Sequence, residues 1–303
     1  MKARLPLLAL VAVTALPQPS QALVINFTQI AGDTLLPAQL TAFGTAAQAW
    51  ENVLTDPVTV NISIGFRDLG TVPGGIILGG ATPTEVYASY SAFRTLMALD
   101  ATSAADATAV ANLPASVPGD TIHLTSANAR ALGFTTPTVA IDATIEFTSN
   151  AAITYQYSRN PDGGVNPGAF DFLGVAGHEI GHALGFISNA GAFVEDTTLD
   201  LFRFQGTTRS LATGPAFFSI DGGVTDLAPF SDGITYQTSH WADGTPALMA
   251  PALSPGNVQP ITPLDLKAMD VIGWDIAAVP EPASFAVLAF GLGILAFIRR
   301  PRA

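Results

Sequence analysis

The sequence predicts an α+β domain, and three patterns along the chain support this fold class. Apolar residues recur every three or four positions over residues 40–54, which is typical of one buried helix face. Apolar and polar residues alternate over residues 58–66, as in a half-buried strand. A second helix is expected between Asp171, a candidate N-cap, and Gly185, a candidate C-terminal stop.

The chain between these elements contains further periodic segments. Residues 84–112 are predicted to be helical, because apolar side chains recur there at helical spacing. The side chains expected on one face of this helix are Val86, Tyr90, Phe93 and Met97. Alternation predicts two more strands, at residues 139–147 and 153–157.

Loops and a last helix are marked by proline and glycine. Segments 70–83 and 160–168 are rich in both residues and are predicted to be loops. Thr262 followed by Pro263 has the form of a helix start, with a capping hydroxyl and a proline at the first helical position. This helix is expected to end near Gly273.

Both ends of the chain predict export. Lys2 and Arg4 precede a short apolar stretch and a small-x-small ending, so residues 1–22 are predicted to be a secretory signal peptide. Residues 283–298 are mostly apolar and are followed by arginines. A helix over this transmembrane candidate spans about 24 Å, slightly less than a bilayer core, and the arginines favour a cytoplasmic end.

The tail at residues 279–303 begins with Val-Pro-Glu-Pro, and its apolar stretch and terminal arginines follow in order. This arrangement resembles the PEP-CTERM sorting signal of Gram-negative bacteria. The resemblance implies that an exosortase-like sorting enzyme recognises the tail. It also implies an exported protein at the cell surface or in the extracellular matrix, which contacts the membrane only through its C-terminal segment.

Composition narrows the classes of partner. The net charge is −12 at pH 7, which argues against nucleic acid as a ligand. The chain has no cysteine, so its fold cannot use disulfide bonds. Asp162 and Asp221 each precede two glycines, as acidic residues in calcium loops often precede glycine, although Asp-Gly pairs are more often simple turns.

The most informative stretch is GHEIGHALGF at residues 177–186, which holds two of the four histidines. His178 and His182 are one helical turn apart, so both imidazoles lie on one face and can bind one metal ion. A solvated helix face is the alternative interpretation. Zinc lowers the pKa of a bound water to about 7, and the neighbouring Glu179 can accept its proton. The spacing therefore predicts metal-assisted hydrolysis with Glu179 as general base.

Catalytic zinc needs a third protein ligand and an open position. The extended motif HExxHxxGxxH would place a histidine at position 188, where this chain has serine. His240, in the run Ser-His-Trp, is the preferred candidate. The carboxylates of Asp200 and Glu195 are alternatives, whereas His123 lies in an alternating run and is expected to be an ordinary sheet histidine.

HEIGHALGF, a long insertion, SHW and LMAP together resemble leishmanolysin-type metzincins over about residues 165–275. The resemblance implies a two-lobed zinc protease domain, with a twisted mixed sheet in the N-terminal lobe and a mainly helical or irregular C-terminal lobe. It implies zinc ligation by His178, His182 and His240, with Met249 as an apolar floor beneath the metal. The chain departs from the family in its lack of cysteines and its shorter insertion.

These observations predict a secreted or surface-anchored zinc endopeptidase, with residues 23–278 as the catalytic domain and a protein or peptide as substrate. One of the strands at 139–147 and 153–157 is a candidate edge strand for an extended peptide. Tyr236 is a candidate oxyanion donor through its proximity to His240 in sequence. The alternative is a non-catalytic surface or matrix protein, in which a fourth ligand, Asp200 or Glu195, closes a structural zinc site.

Overall fold

The computed structural model describes residues 22–72, 75–135 and 139–277. Within these residues the fold is mixed α+β, with six α-helices and several small sheets, as the predicted class requires. The helices are α1 Pro37–Glu51, α2 Tyr90–Asp100, α3 Ala104–Ala111, α4 Ser126–Ala131, α5 Phe172–Leu184 and α6 Pro263–Val271. The strands are β1 Val24–Gln29, β2 Thr59–Arg67, β3 Thr71–Val72, β4 Gly75–Ile76, β5 Gly79–Pro83, β6 Glu85–Ser89, β7 Thr121–Thr125, β8 Ala143–Thr148, β9 Tyr155–Gln156, β10 Phe170–Asp171, β11 Asp196–Thr197, β12 Arg203–Gln205, β13 Thr208–Arg209, β14 Ala216–Phe218 and β15 Ala228–Phe230.

The sheet nearest the histidine motif has the order β1-β2-β8-β5. β1, β2 and β8 run parallel, and β5 runs antiparallel to β8. The sheet is therefore mixed. Val60, Ile62 and Ile64 of β2 are fully buried, which confirms the predicted alternation. β5 lies at the edge of this sheet, and in the described residues its outer side pairs with no other strand.

Helix α1 packs between the chain's N-terminal strands and helix α5. Phe43 and Trp50 are buried as predicted, but Leu40 is 40% exposed. Leu40 differs because the first turn of α1 is largely exposed and continuous burial of this face begins only at Ala42. The indole Nε1 of Trp50 donates a hydrogen bond to the carbonyl oxygen of Gly177 at 2.9 Å, which fixes α1 against α5.

The part of the chain after α5 is mainly irregular. It contains a small antiparallel sheet of order β13-β12-β14-β15 and the single helix α6, so it is less helical than expected. Trp241 packs against the rings of Phe218 and Phe230, with centroid distances of 5.4 and 5.0 Å. Thr262 caps α6 as predicted, and the helix stops just before Gly273, where φ is 102°.

The helix predicted over residues 84–112 is only partly correct. Its first residues form β6, which pairs antiparallel with β7, so tertiary pairing overrides the helical spacing. Helix α2 ends at Asp100, because the hydroxyl of Ser103 caps a separate helix, α3. Tyr90, Phe93 and Met97 are nevertheless buried on one face of α2.

Three other segments differ from the sequence-based expectation. The strand predicted at 139–147 exists as β8, but regular pairing begins only at Ala143. The strand predicted at 153–157 shrinks to β9, which pairs with β10. Neither is an edge strand of the sheet β1-β2-β8-β5. The edge strand next to β8 is β5, within the predicted loop 70–83, where pairing with β8 keeps a glycine-rich segment extended despite its low strand propensity. Segment 160–168 is a loop, as predicted.

The signal peptide predicted at residues 1–22 and the tail predicted at 279–303 lie outside the described residues, apart from residue 22. Across the described ranges, no helix combines the length and apolarity that crossing a membrane requires.

Candidate active site

Helix α5 places the histidine motif in the interior. It starts after Asp171 and ends at Gly185, whose φ of 126° favours glycine, so both predicted limits are confirmed. Asp171 occupies the N-cap position, but its side chain makes no capping bond. Its carboxylate instead pairs with Arg159 at 2.6 Å. The start of the helix is therefore held by an ion pair with the preceding loop.

Three histidine side chains meet at one point. Nε2 of His178 lies 3.0 Å from Nε2 of His182 and 3.1 Å from Nε2 of His240, and the third separation is 3.3 Å. Each histidine is only 9% exposed. The fold thus brings His240 to the pair on α5. In the described part of the chain, no carboxylate or further imidazole joins this group.

A backbone carbonyl group orients each imidazole ring through Nδ1. The pairs are His178 with Leu248 at 2.8 Å, His182 with Phe186 at 2.6 Å, and His240 with Gln237 at 3.1 Å. With the proton on Nδ1, each Nε2 directs a lone pair towards the common centre. Burial lowers the pKa of all three imidazoles, and that of His240 falls to about 3, so the neutral form is favoured.

This donor set fits a zinc ion. Three nitrogen lone pairs that converge at 3.0 to 3.3 Å repel one another unless a cation lies between them. Tetrahedral zinc with bonds of about 2.0–2.1 Å places its ligand nitrogens about 3.3 Å apart, close to the observed separations. With three imidazoles and no fourth ligand from the described residues, such a site keeps one position open.

Glu179 contacts the edge strand β5. A methyl group on Gly79 would come within 2.8 Å of Oε1 of Glu179, so the close approach depends on glycine. The backbone amide of Ala81 also acts to lower the pKa of this carboxylate. Burial raises the pKa of Glu179 to about 8, and a cation at the histidines would act in the opposite direction.

Asp265 organises the segment that supports His178. Its Oδ1 accepts hydrogen bonds from Nε1 of Trp241 at 2.9 Å and from the amide of Met249 at 3.1 Å. Its Oδ2 accepts from the amide of Leu248 at 2.9 Å. The carbonyl group of Leu248 orients His178, so the first turn of α6 is coupled to the histidine cluster.

Met249 lies directly against α5. It is fully buried, and a methyl group on Gly181 would come within 2.5 Å of its sulfur atom. The glycine in the middle of the motif therefore makes room for the methionine. Met249 therefore packs beside the helical turn between His178 and His182, and its role as an apolar floor beneath a metal stays a prediction.

The alternative third ligands lie outside the cluster. The carboxylate of Asp200 accepts hydrogen bonds from the hydroxyl of Ser188 at 2.5 Å, the amide of Asn189 at 2.8 Å and the amide of Thr197 at 3.0 Å. Asp200 therefore stabilises a turn. Glu195 also does not join the histidines.

His123 and Tyr236 also have other surroundings. His123 lies in β7, as predicted, with its ring 4.0 Å from the ring of Tyr87. The backbone carbonyl group of Tyr236 accepts a hydrogen bond from Ser231, and in the described part of the chain its hydroxyl has no hydrogen bond to the histidines. The Asp-Gly pairs form turns: Asp162 accepts from the amide of Gly164, and Asp221 from the amide of Thr225.

Two features of the site are not predicted from the sequence. Asp265 is visible only as the third residue of a helix start, where an acidic side chain normally caps its own helix. The edge strand β5 has the sequence Gly-Gly-Ala-Thr-Pro, which carries no strand signal. The two glycines that begin this strand are the sole local sign of a close backbone approach.

Comparison with known proteins identifies one feature of the chain. Residues 278–303 match the family model of the PEP-CTERM protein-sorting motif. No curated protein and no solved structure matches the chain. The predicted tail is thus confirmed to within one residue. The chain carries the sorting motif of an exported protein that is sorted or anchored through its C-terminal tail, the kind of tail that exosortase-like enzymes recognise.

Proposed function

We propose that this exported protein is a zinc-dependent endopeptidase of the metzincin type. The observation that carries the proposal is the convergence of three neutral imidazole nitrogens at 3.0 to 3.3 Å beside a buried glutamate. His178, His182 and His240 are the proposed metal ligands. The carboxylate of Glu179 is the proposed general base.

The chain's own residues have defined tasks in this reaction. The three histidines hold the metal, and the carbonyl groups at their Nδ1 atoms keep the rings in one tautomer. Zinc, when bound, supplies a Lewis acid that polarises a carbonyl group and acidifies a water molecule. Glu179 accepts the proton of the attacking water and later returns it to the leaving amine.

The edge strand β5 supports a peptide as substrate. Its outer side is unpaired in the described residues, and Gly79 of this strand lies close to the carboxylate of Glu179. An extended peptide can add to such an edge by main-chain hydrogen bonds, which do not depend on its sequence. This would bring a backbone carbonyl group to the metal and the general base together.

A structural zinc site in a non-catalytic surface or matrix protein is the competing function. It requires a fourth protein ligand. The two carboxylates named for that position, Asp200 and Glu195, are outside the cluster, and the hydrogen bonds of Asp200 are satisfied elsewhere. The geometry therefore favours the open, catalytic type of site.

Zinc content and casein cleavage by the full-length chain test the proposal. The variants are His240→Ala and Glu179→Gln, with His123→Ala as a control for loss of a histidine outside the cluster. His240→Ala is expected to lose zinc and cleavage. Glu179→Gln is expected to keep zinc and to lose about 10²–10⁴-fold in rate. Cleavage by Glu179→Gln at the wild-type rate refutes the proposed base, and zinc without cleavage of any peptide in a random library supports the structural alternative.

A further inference from the structure

Five aspartates gather where the segment after α1 meets the segment after α6. They are Asp56, Asp100, Asp106, Asp270 and Asp275. Carboxylate oxygens of three of these residues, Asp56, Asp100 and Asp275, lie within 4.8 Å of one another. The charges of the other two act on the same group. This cluster plays no part in the histidine site.

The described residues neutralise this cluster poorly. Asp275 accepts a hydrogen bond from the hydroxyl of Thr102 at 2.5 Å. Asp100 has four like charges as neighbours, and within the described ranges no group donates a hydrogen bond to it. Asp270 is only 7% exposed. Its Oδ2 accepts from the hydroxyl of Ser103, whereas its Oδ1 has no partner in the described part of the chain. A buried carboxylate oxygen without a partner is costly, and a cation bound nearby would offset this cost.

Two helix ends add to the negative potential. Asp100 is the last residue of α2, and Asp270 lies in the last turn of α6. The C-terminal end of a helix carries a partial negative charge and normally attracts basic side chains. Neither helix has a basic residue in its last turn. Lys267, one turn earlier in α6, is the cation that acts on Asp270.

We propose that this cluster binds one calcium ion, with Asp56, Asp100 and Asp275 as ligands and Asp270 as a fourth carboxylate beside it. Calcium takes six to eight oxygen ligands at about 2.3–2.6 Å, so oxygens on opposite sides of the ion are about 4.8 Å apart. Three carboxylate oxygens within that distance can surround one ion. Magnesium requires shorter bonds of about 2.0–2.1 Å in a strict octahedron, which this loose group fits less well.

The position of the site suggests what the ion does. Leu54 forms an isolated bridge with Ile276, and the amide of Asp275 donates to Asp56 at 2.8 Å. The sorting motif starts at residue 278, directly after this junction. Calcium would therefore clamp the end of the folded domain where the tail begins. Extracellular calcium modules have dissociation constants of about 10⁻⁴–10⁻³ M, so calcium would occupy this site only after export.

Calorimetric titration of the zinc-loaded, full-length chain in detergent tests the inference. CaCl₂ is the probe, and MgCl₂ is titrated in parallel. The variants are Asp100→Asn and Asp275→Asn, and the exposed Asp226→Asn is the control for loss of one acidic charge. The thermal midpoint is recorded with and without calcium for each protein.

We expect one calcium per chain, a higher thermal midpoint with calcium, and weaker binding of magnesium. Each cluster variant should weaken calcium binding by about tenfold or more, because fewer charged ligands remain. Without calcium, Asp100→Asn should be at least as stable as the wild type, since it removes repulsion. The inference is overturned if calcium does not bind at about 10 mM, which is well above the expected dissociation constant of about 10⁻⁴–10⁻³ M. It is also overturned if the cluster variants bind calcium as tightly as the wild type. Zinc content and casein cleavage, which depend on the histidines, report separately on the proposed protease.

Discussion

Replacement of Asp265 by asparagine tests whether the first turn of α6 supports the histidine cluster. Asp265 is fully buried. Its Oδ1 accepts hydrogen bonds from Trp241 and Met249. Its Oδ2 accepts from the amide of Leu248 and from the amide and hydroxyl of Thr262. Asparagine offers one oxygen, so its NH₂ group must face one of these two sets of donors.

The expected loss of stability follows from the smaller of the two sets of hydrogen-bond donors, Trp241 and Met249. At least two hydrogen bonds to a charged acceptor are lost, each of about 1.5–3 kcal/mol, so Asp265→Asn should lower the free energy of unfolding by about 3–6 kcal/mol. The carbonyl group of Leu248 would then hold His178 less firmly. Loss of a hydrogen bond that orients a metal-binding histidine typically weakens metal binding by about 10–100-fold.

Chemical denaturation of the zinc-loaded chain measures the first effect, and competition with a zinc chelator measures the second. Asp221→Asn is the matched control. Asp221 also accepts hydrogen bonds, from Ser219 and Thr225, but it lies in a surface turn away from the histidines. A change below about 1 kcal/mol together with unaltered zinc affinity would refute the coupling between Asp265 and the site.

Three further outcomes are expected. Gly79→Ala should keep zinc but reduce casein cleavage at least about tenfold, because its methyl group would come within 2.8 Å of Glu179 and displace the base; Gly80→Ala, which meets no atom within 4 Å, is the control. Trp50→Phe removes the bond to the Gly177 carbonyl group and should lower the free energy of unfolding by about 1–3 kcal/mol in denaturant titrations, whereas an unchanged midpoint would count against that contact. Burial raises the pKa of Asp56 and Asp100 from 3.8 to about 7, so between these pH values the calcium-free native state binds more protons than the unfolded chain, and its thermal midpoint should fall as pH rises towards about 7. A midpoint that rises over this range, or a fall of the same size in Asp100→Asn, would contradict this assignment.

Much of the candidate site is readable from local spacing. His178 and His182 lie on one face of a helix whose limits, Asp171 and Gly185, are confirmed. These predictions succeed because helix periodicity and end signals depend on residues close together in sequence. The predictions that failed concern segments whose structure depends on residues far apart in sequence. Glu85–Ser89 has helical spacing but forms a strand, because its partner β7 lies more than thirty residues further along the chain.

The sequence alone determined the α+β class, the motif helix, the strand β2, the start of α6 and the sorting tail, because each depends on a local pattern. Only the tertiary structure decided that His240 meets the motif, that β5 is the edge strand against Glu179, and that Asp265 supports the Leu248 carbonyl group. It alone brought together the aspartate cluster, whose members are far apart in sequence. The physical reason is that long-range packing and hydrogen bonding set these contacts, and no short-range periodicity encodes them.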